Sequence, residues 1–171
     1  MIARKLACAL AALVLLGLLA LSRDAAAQEL LLGASGSGSS GVEGGGGHTM
    51  ALQRARTRLR VGVDMRNSEE PKDALAVGVL LEVEPHTAVG ADIRYYRFVD
   101  THFLVDIGAM GIVFPASLFG GTAGLEYRHP LGAKTAFFAG PEVNVFAFGS
   151  DLPGGTIIWQ GLLQLGLHVD L

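Results

Sequence analysis

Cysteine is nearly missing from this chain of 171 residues, and the only one, Cys8, lies inside an apolar run near the start. A lipid-bearing cysteine belongs at the end of such a run, beside the cleavage point, so Cys8 does not read as a lipoprotein anchor. Once that run is removed no cysteine remains, which excludes disulfides, thiol catalysis and cysteine-ligated zinc. Charge is scarce as well, at 17% of residues. Removing Arg4, Lys5, Arg23 and Asp24 from 13 basic and 16 acidic residues leaves 10 and 15. The remainder is mildly acidic, with no basic face to recommend nucleic acid as a partner. No stretch carries a helical hydrophobic period beyond the first thirty residues, and proline falls between segments more than within them.

The start of the chain has three parts. Arg4 and Lys5 are positive, Leu6 to Leu21 is almost wholly apolar, and Ala25-Ala26-Ala27 offers a small-residue cleavage site before Gln28. That is the layout of a secretory signal peptide over 1–27. A retained single-span anchor is the alternative, and the alanine run favours cleavage. From Gly33 to Gly47 the residues are mostly Gly and Ser, a composition that reads as a flexible tether. The four glycines at its end lack the Gly-Lys-Ser/Thr of a phosphate loop. The expected division is a tether over 28–53, with a possible weak first strand, followed by one domain over 54–171.

In that domain period-2 alternation takes over, in segments at about 54–66, 74–84, 87–98, 102–113, 119–128, 134–148 and 157–171. Pro71, Pro85, Pro115, Pro130 and Pro153 fall in the gaps, among turn formers such as Asn67-Ser68 and Pro153-Gly154-Gly155. Gaps this short favour sequential antiparallel hairpins, since a parallel crossover needs a dozen residues or more. The expected fold is an all-β meander.

Odd and even positions separate two faces. One carries Leu59, Val61, Val63 and Met65, and later Val105, Ile107, Leu163, Leu165 and Leu167. The other collects Arg58, Arg60, Asp64, Arg66, Glu82, Glu84, Asp92, Arg94, Asp106, Glu126, Arg128, Glu142, His168 and Asp170. Arg97 is the one clear charge on the apolar face, near a strand end where its stem can snorkel. A soluble barrel turns the apolar face inward, and a membrane barrel turns it to lipid. Three features favour the membrane. Aromatic residues Tyr95, Phe103, Phe119, Tyr127, Phe137 and Trp159 lie near strand ends of the apolar face, as in an interfacial girdle. The segments suit tilted spanning strands, whose lipid-crossing part needs about 9–11 residues. Glycines on the polar face, among them Gly62, Gly78, Gly124 and Gly166, suit a narrow lumen crossed by long side chains.

These residues resemble the small bacterial outer-membrane β-barrel proteins of eight-stranded type. The resemblance covers Arg54 to Leu171 and rests on the export signal, the alternating strands, the girdle aromatics and the alternating last strand from Trp159 to Leu171. It implies an antiparallel up-and-down transmembrane barrel of about eight strands, in the outer membrane of a Gram-negative bacterium. It also implies outer-membrane lipid and the barrel-assembly machinery, met through the last strand, as partners. Leu171 stands where that family usually ends in an aromatic residue. An even strand count follows from the family, and seven strands are legible. The eighth comes from Glu29-Leu30-Leu31-Leu32 followed by the tether as a loop, from part of 48–56, or from splitting a longer segment. Pro141 inside the sixth segment predicts a bulge around Gly140-Pro141.

The polar face reads either as a pore lining or as a paired electrostatic plug. The plug is favoured, because buried charges need partners and an eight-stranded lumen is nearly filled by side chains. His168 with Asp170, near Glu126, suggests acid–base work, but only Thr122 offers an inward hydroxyl within the legible strands. His86, His102 and His129 sit at strand tips without ligand spacing. The expectation is therefore no enzyme, no metal and no cofactor. The connections at Pro85–His86, Phe114–Leu118 and Ser150–Gly155 are too short for elaborate recognition. The functional expectation is a structural or accessory membrane barrel. The alternatives are a small solute channel and a secreted soluble barrel with a lipophilic ligand.

Overall fold

The computed structural model describes residues 30–45, 52–68, 72–84, 87–150, 152 and 156–171. The signal peptide read over 1–27 lies outside them. Eight strands follow one another: β1 (Leu30–Gly45), β2 (Leu52–Asn67), β3 (Asp73–Glu84), β4 (Ala88–Phe98), β5 (Phe103–Phe114), β6 (Leu118–Pro130), β7 (Thr135–Gly149) and β8 (Ile158–Asp170). Each pairs antiparallel with the next, and β8 returns to β1, closing the sheet into a barrel. The antiparallel eight-stranded barrel expected from the sequence is the fold. The seven legible segments became β2 to β8 with ends displaced by at most two residues.

The tether is a correction. Its glycines and serines form β1 itself, sixteen residues long and hydrogen-bonded on both sides. The barrel therefore begins at Leu30 rather than at residue 54. Of the three sources considered for the eighth strand, the leucine run is where it starts, at Leu30–Leu32, but the strand then continues through the Gly/Ser stretch that was read as a loop. Propensity alone disfavours such a strand, but neighbours on both sides override it. The lumen side of β1 has to be small because large groups lie across it. A Cβ on Gly33 would come 2.5 Å from His168 Nε2 and 2.7 Å from Asp64 Oδ1.

Pro141 gives a second correction. The ladder from β7 to β8 continues through Gly140↔Gln164 and Pro141↔Leu163 with no register shift. Against β6 the pairs pause between Gly124↔Glu142 and Tyr127↔Ala139, and the register resumes unchanged. The missing N–H is absorbed as a gap in one ladder and not as a bulge. Register shifts do occur, at Glu43/Gly44, Thr57/Arg58, Val89/Gly90 and Phe119/Gly120. All four lie toward one end.

The two ends differ. The terminal end holds Leu30, Leu171 and the connections that follow Asn67, Phe98 and Pro130. The far end holds the connections that follow Gly45, Glu84, Phe114 and Gly149. Inside, near the far end, Leu80, Ala88, Met110, Ile112, Leu118 and Phe146 form a buried apolar cluster, with Leu152 and Ile158 packed against it. Nearer the terminal end Ala74, Ala76, Tyr96 and Leu104 form a smaller one beside Phe98. Charged residues fill the lumen between and beside them, with Glu82 lying beyond Leu80 toward the far end of β3 and Asp170 at the terminal mouth.

Candidate functional site: a charged lumen

Strand alternation delivers the charges. Successive side chains point to opposite faces, so Arg56, Arg58 and Arg60 of β2 enter the lumen while Leu59 and Val61 stand outside, Val61 with 68% of its surface exposed. Arg58 and Arg94 are the largest fully buried side chains in the barrel. A buried guanidinium is tolerable only when its donors meet carboxylates or amide oxygens.

Each guanidinium finds such partners, with Arg58 Nε, Arg60 Nη2 and Arg94 Nη2 left without one among the described residues. Arg58 donates through Nη2 to Glu82 Oε1 at 2.6 Å and to Gln160 Oε1 at 2.7 Å, and through Nη1 to Glu142 Oε1 at 3.2 Å. Arg94 donates through Nε to Asp92 Oδ2 at 2.6 Å, and through Nη1 to Glu142 Oε2 at 2.9 Å and Asp106 Oδ1 at 3.4 Å. Arg60 shares Asp92 at 2.8 Å and reaches Ser35 Oγ at 3.3 Å. Arg56 bridges Glu82 at 2.6 Å and Glu43 at 2.5 Å. Glu142 thus links β2, β4 and β7 across the barrel. One connected network holds seven strands, all but β6, together through the lumen.

A second group sits nearer the terminal end. His168 Nε2 lies 2.8 Å from Asp64 Oδ1, and Arg66 contacts Asp64 at 3.2 Å and Asp170 at 2.5 Å. Beside it Glu126 accepts from Gln164 at 3.2 Å and from Arg128 at 3.5 Å. The Arg128 guanidinium lies 5.2 Å from the Phe98 ring centroid and 5.9 Å from that of Phe138, and Arg66 also sits over Phe98, at 5.6 Å. Cationic groups over aromatic faces contribute where water is excluded.

Glycine makes this packing possible. At Gly78 an added Cβ would meet Asp92 Oδ1 at 2.5 Å and Arg60 Nε at 2.8 Å, so the Arg60–Asp92 pair lies directly over bare backbone. Gly124 is covered in the same way by Asp106 Oδ2.

Of the fourteen residues assigned to the lumen from the sequence, Arg58, Arg60, Asp64, Glu82, Asp92, Arg94, Asp106, Glu126, Glu142 and His168 are buried there. Arg66 and Arg128 are partly buried. The Asp170 side chain retains 49% exposure at the terminal mouth. The Glu84 side chain lies outside those described. His168 and Asp170 do come together, at 3.8 Å, but the closer partner of His168 is Asp64. Ser35, the register partner of His168 on β1, is a further inward hydroxyl, engaged by Arg60. Of the six girdle aromatics, Tyr95, Phe103 and Tyr127 are exposed on the outer wall near the terminal end, where Phe137 is half-buried. Phe119 is exposed and Trp159 half-buried near the far end. Arg97 is exposed at the terminal rim, 3.9 Å from Asp73.

Sequence reasoning missed two sets of residues. Ser35, Ser37, Ser39 and Glu43 alternate with Ala34, Gly36, Gly38 and Val42 in β1, a period-2 signal masked by glycine. The inward apolar residues Leu80, Met110, Ile112, Phe146 and Leu162 went unremarked beside their charged neighbours on the same face.

No family model and no curated protein matches the sequence. Among solved structures, the chain is similar to the crystal structure of Neisserial surface protein A, at 12% identity and a TM-score of 0.48, over 83% of this chain and 97% of that one. It is also similar to a de novo designed transmembrane β-barrel, at 10% identity and a TM-score of 0.46, over 82% and 95%.

Proposed function

We propose that this chain is an integral β-barrel of a Gram-negative outer membrane, structural or accessory in role, with a lumen closed by its own side chains. The observation that supports this most strongly is the direction of the side chains. Large apolar residues stand exposed on every strand described, among them Leu32, Leu59, Val79, Ile93, Ile107, Leu125, Val143 and Leu165. Soluble proteins rarely expose contiguous apolar surface on this scale, and acyl chains are the solvent that suits it. The same direction argues against a secreted carrier of a lipophilic ligand, which needs an apolar interior where Arg58, Glu82 and Arg94 now lie.

Two layers support a closed lumen over a solute channel. The ion-paired middle has its guanidiniums held by carboxylates from facing strands, and the far end is packed with Leu80, Met110, Ile112 and Phe146. Neither layer contains a nucleophile aligned with a base, so the reading is non-catalytic. The partners it implies are membrane lipid and, through β8, the assembly machinery that closes such barrels.

Gel mobility of unheated and boiled outer-membrane fractions tests the location. A compact band that shifts only on boiling, in protein that resists carbonate extraction, is the expected outcome. Release into the carbonate supernatant would remove the membrane reading. Planar-bilayer recordings test the lumen, and discrete single-channel openings would replace the plug with a pore.

A further inference from the structure

The outer wall is not uniform. On the far-end half of β4 to β7 several outward positions are small, at Ala91, Ala109, Gly111, Gly121 and Ala147, among larger ones such as Val113 and Val145. Cross-strand register makes them neighbours, with Ala91 opposite Gly111 and Ala109 opposite Gly121. They form part of the lining of a groove of about 680 Å³. Phe119 and Phe148 border it toward the far end, and Ile93 contributes on β4. A Cβ on Gly111 would lie 2.7 Å from the Phe119 ring, so that ring rests on bare backbone.

We infer that this groove seats one acyl chain of a bilayer lipid, an inference that rests on the membrane reading above. No charged or hydrogen-bonding side chain is available to an occupant. Asp92 is the one charged residue of the lining, and its carboxylate is fully buried on the lumen side between Arg60 and Arg94. The occupant is therefore hydrocarbon, and its headgroup is left free.

Size and shape separate a lipid chain from a second copy of the barrel. The groove by itself offers far less than the roughly 800 Å² per partner that a stable protein interface buries. A two-fold dimer would place the same patch on both copies, concave against concave, and leave a void between them. A single flexible chain fills a channel of this shape and buries its methylenes against alanine and glycine.

The test is electron paramagnetic resonance of the mature barrel in nanodiscs doped with chain-labelled phosphatidylcholine. Gly121→Leu fills the groove at little structural cost, because a Cβ there meets only the Gly108 carbonyl, at 3.6 Å. Gly36→Leu, on the outer face of β1 where a Cβ meets nothing within 4 Å, is the control. The wild type and the Gly36 variant should share a motionally restricted lipid component that is smaller in the Gly121 variant, by about one lipid per barrel. Equal restricted components in all three would overturn the groove site, as would equal loss from both variants. Disulfide-linked dimers forming through Ala109→Cys in preference to Val61→Cys would assign the groove to a second copy. All of these outcomes are read from a folded barrel inserted in nanodiscs. If the wild type fails to insert and shows no heat-dependent gel shift, the membrane reading itself falls, which is a separate result.

Discussion

Two layers of the same lumen solve the filling problem with opposite chemistry. In the middle, Arg58, Arg60 and Arg94 are neutralised by Glu82, Asp92, Asp106 and Glu142. Toward the far end, Leu80, Met110, Ile112 and Phe146 fill the β3 to β7 side with hydrocarbon. The apolar layer needs only volume and shape. The charged layer needs every partner present, because removing one side of a buried pair strands the other in low dielectric. The difference teaches that both regions close the lumen, while only the charged one makes the fold depend on every partner.

The contrast can be broken most sharply at Arg94. Arg94→Met keeps the volume and strands Asp92, Asp106 and Glu142, so the urea midpoint in detergent micelles, followed through Trp159 fluorescence, should fall by the equivalent of about 3–5 kcal/mol. A loss under about 1 kcal/mol would mean that the charged layer is hydrated and tolerant, and the contrast would dissolve. Leu80→Ala in the apolar layer should cost about 3 kcal/mol by the same measurement, since a fully buried leucine leaves a cavity. Its effect should be independent of salt.

A third substitution sets inside against outside. Val105→Lys places a charge on the outer wall, and in bilayers it should cost about 2–4 kcal/mol if the position lies near the midplane. Unchanged stability together with detergent independence would turn the barrel inside out as an interpretation. Gly78→Ala should cost about 1–3 kcal/mol, because the Arg60–Asp92 pair has to shift. The smallest effect is expected at Gly36, where alanine meets open space and should raise stability by about 0.5–1 kcal/mol.

What the sequence made legible follows from the same physics. Period 2 is readable wherever one face is bulky and the other charged, so β2 to β8 could be drawn with small end errors. β1 escaped because its two faces differ by hydroxyl against hydrogen, as in Ser35, Ser37 and Ser39 against Gly36 and Gly38. The reason for that composition lies on β2 and β8, whose Arg60, Asp64 and His168 need the space. Single positions carry no such information until the strands are paired. Pro141 misled for a related cause: a proline inside a strand signals a disturbed ladder but not which ladder, and β7 has two. The membership of the charged face was readable from parity alone. Its pairings were not, since Arg58 and Glu142 are 84 residues apart.

The seam between β1 and β8 has a consequence for how the chain reaches this state. Gly33 meets Asp170, and Ser39 meets Gln164, across almost the whole length of the polypeptide. Contacts this distant in sequence form late, because the entropy of bringing the ends together is spent before any bond rewards it. Until they meet, the nascent sheet is an open ribbon with two rims of unpaired amides, one of them poor in side chains to shield it. Synthesis and closure are thus separate events, and whatever guards those rims in the interval governs how many chains arrive intact.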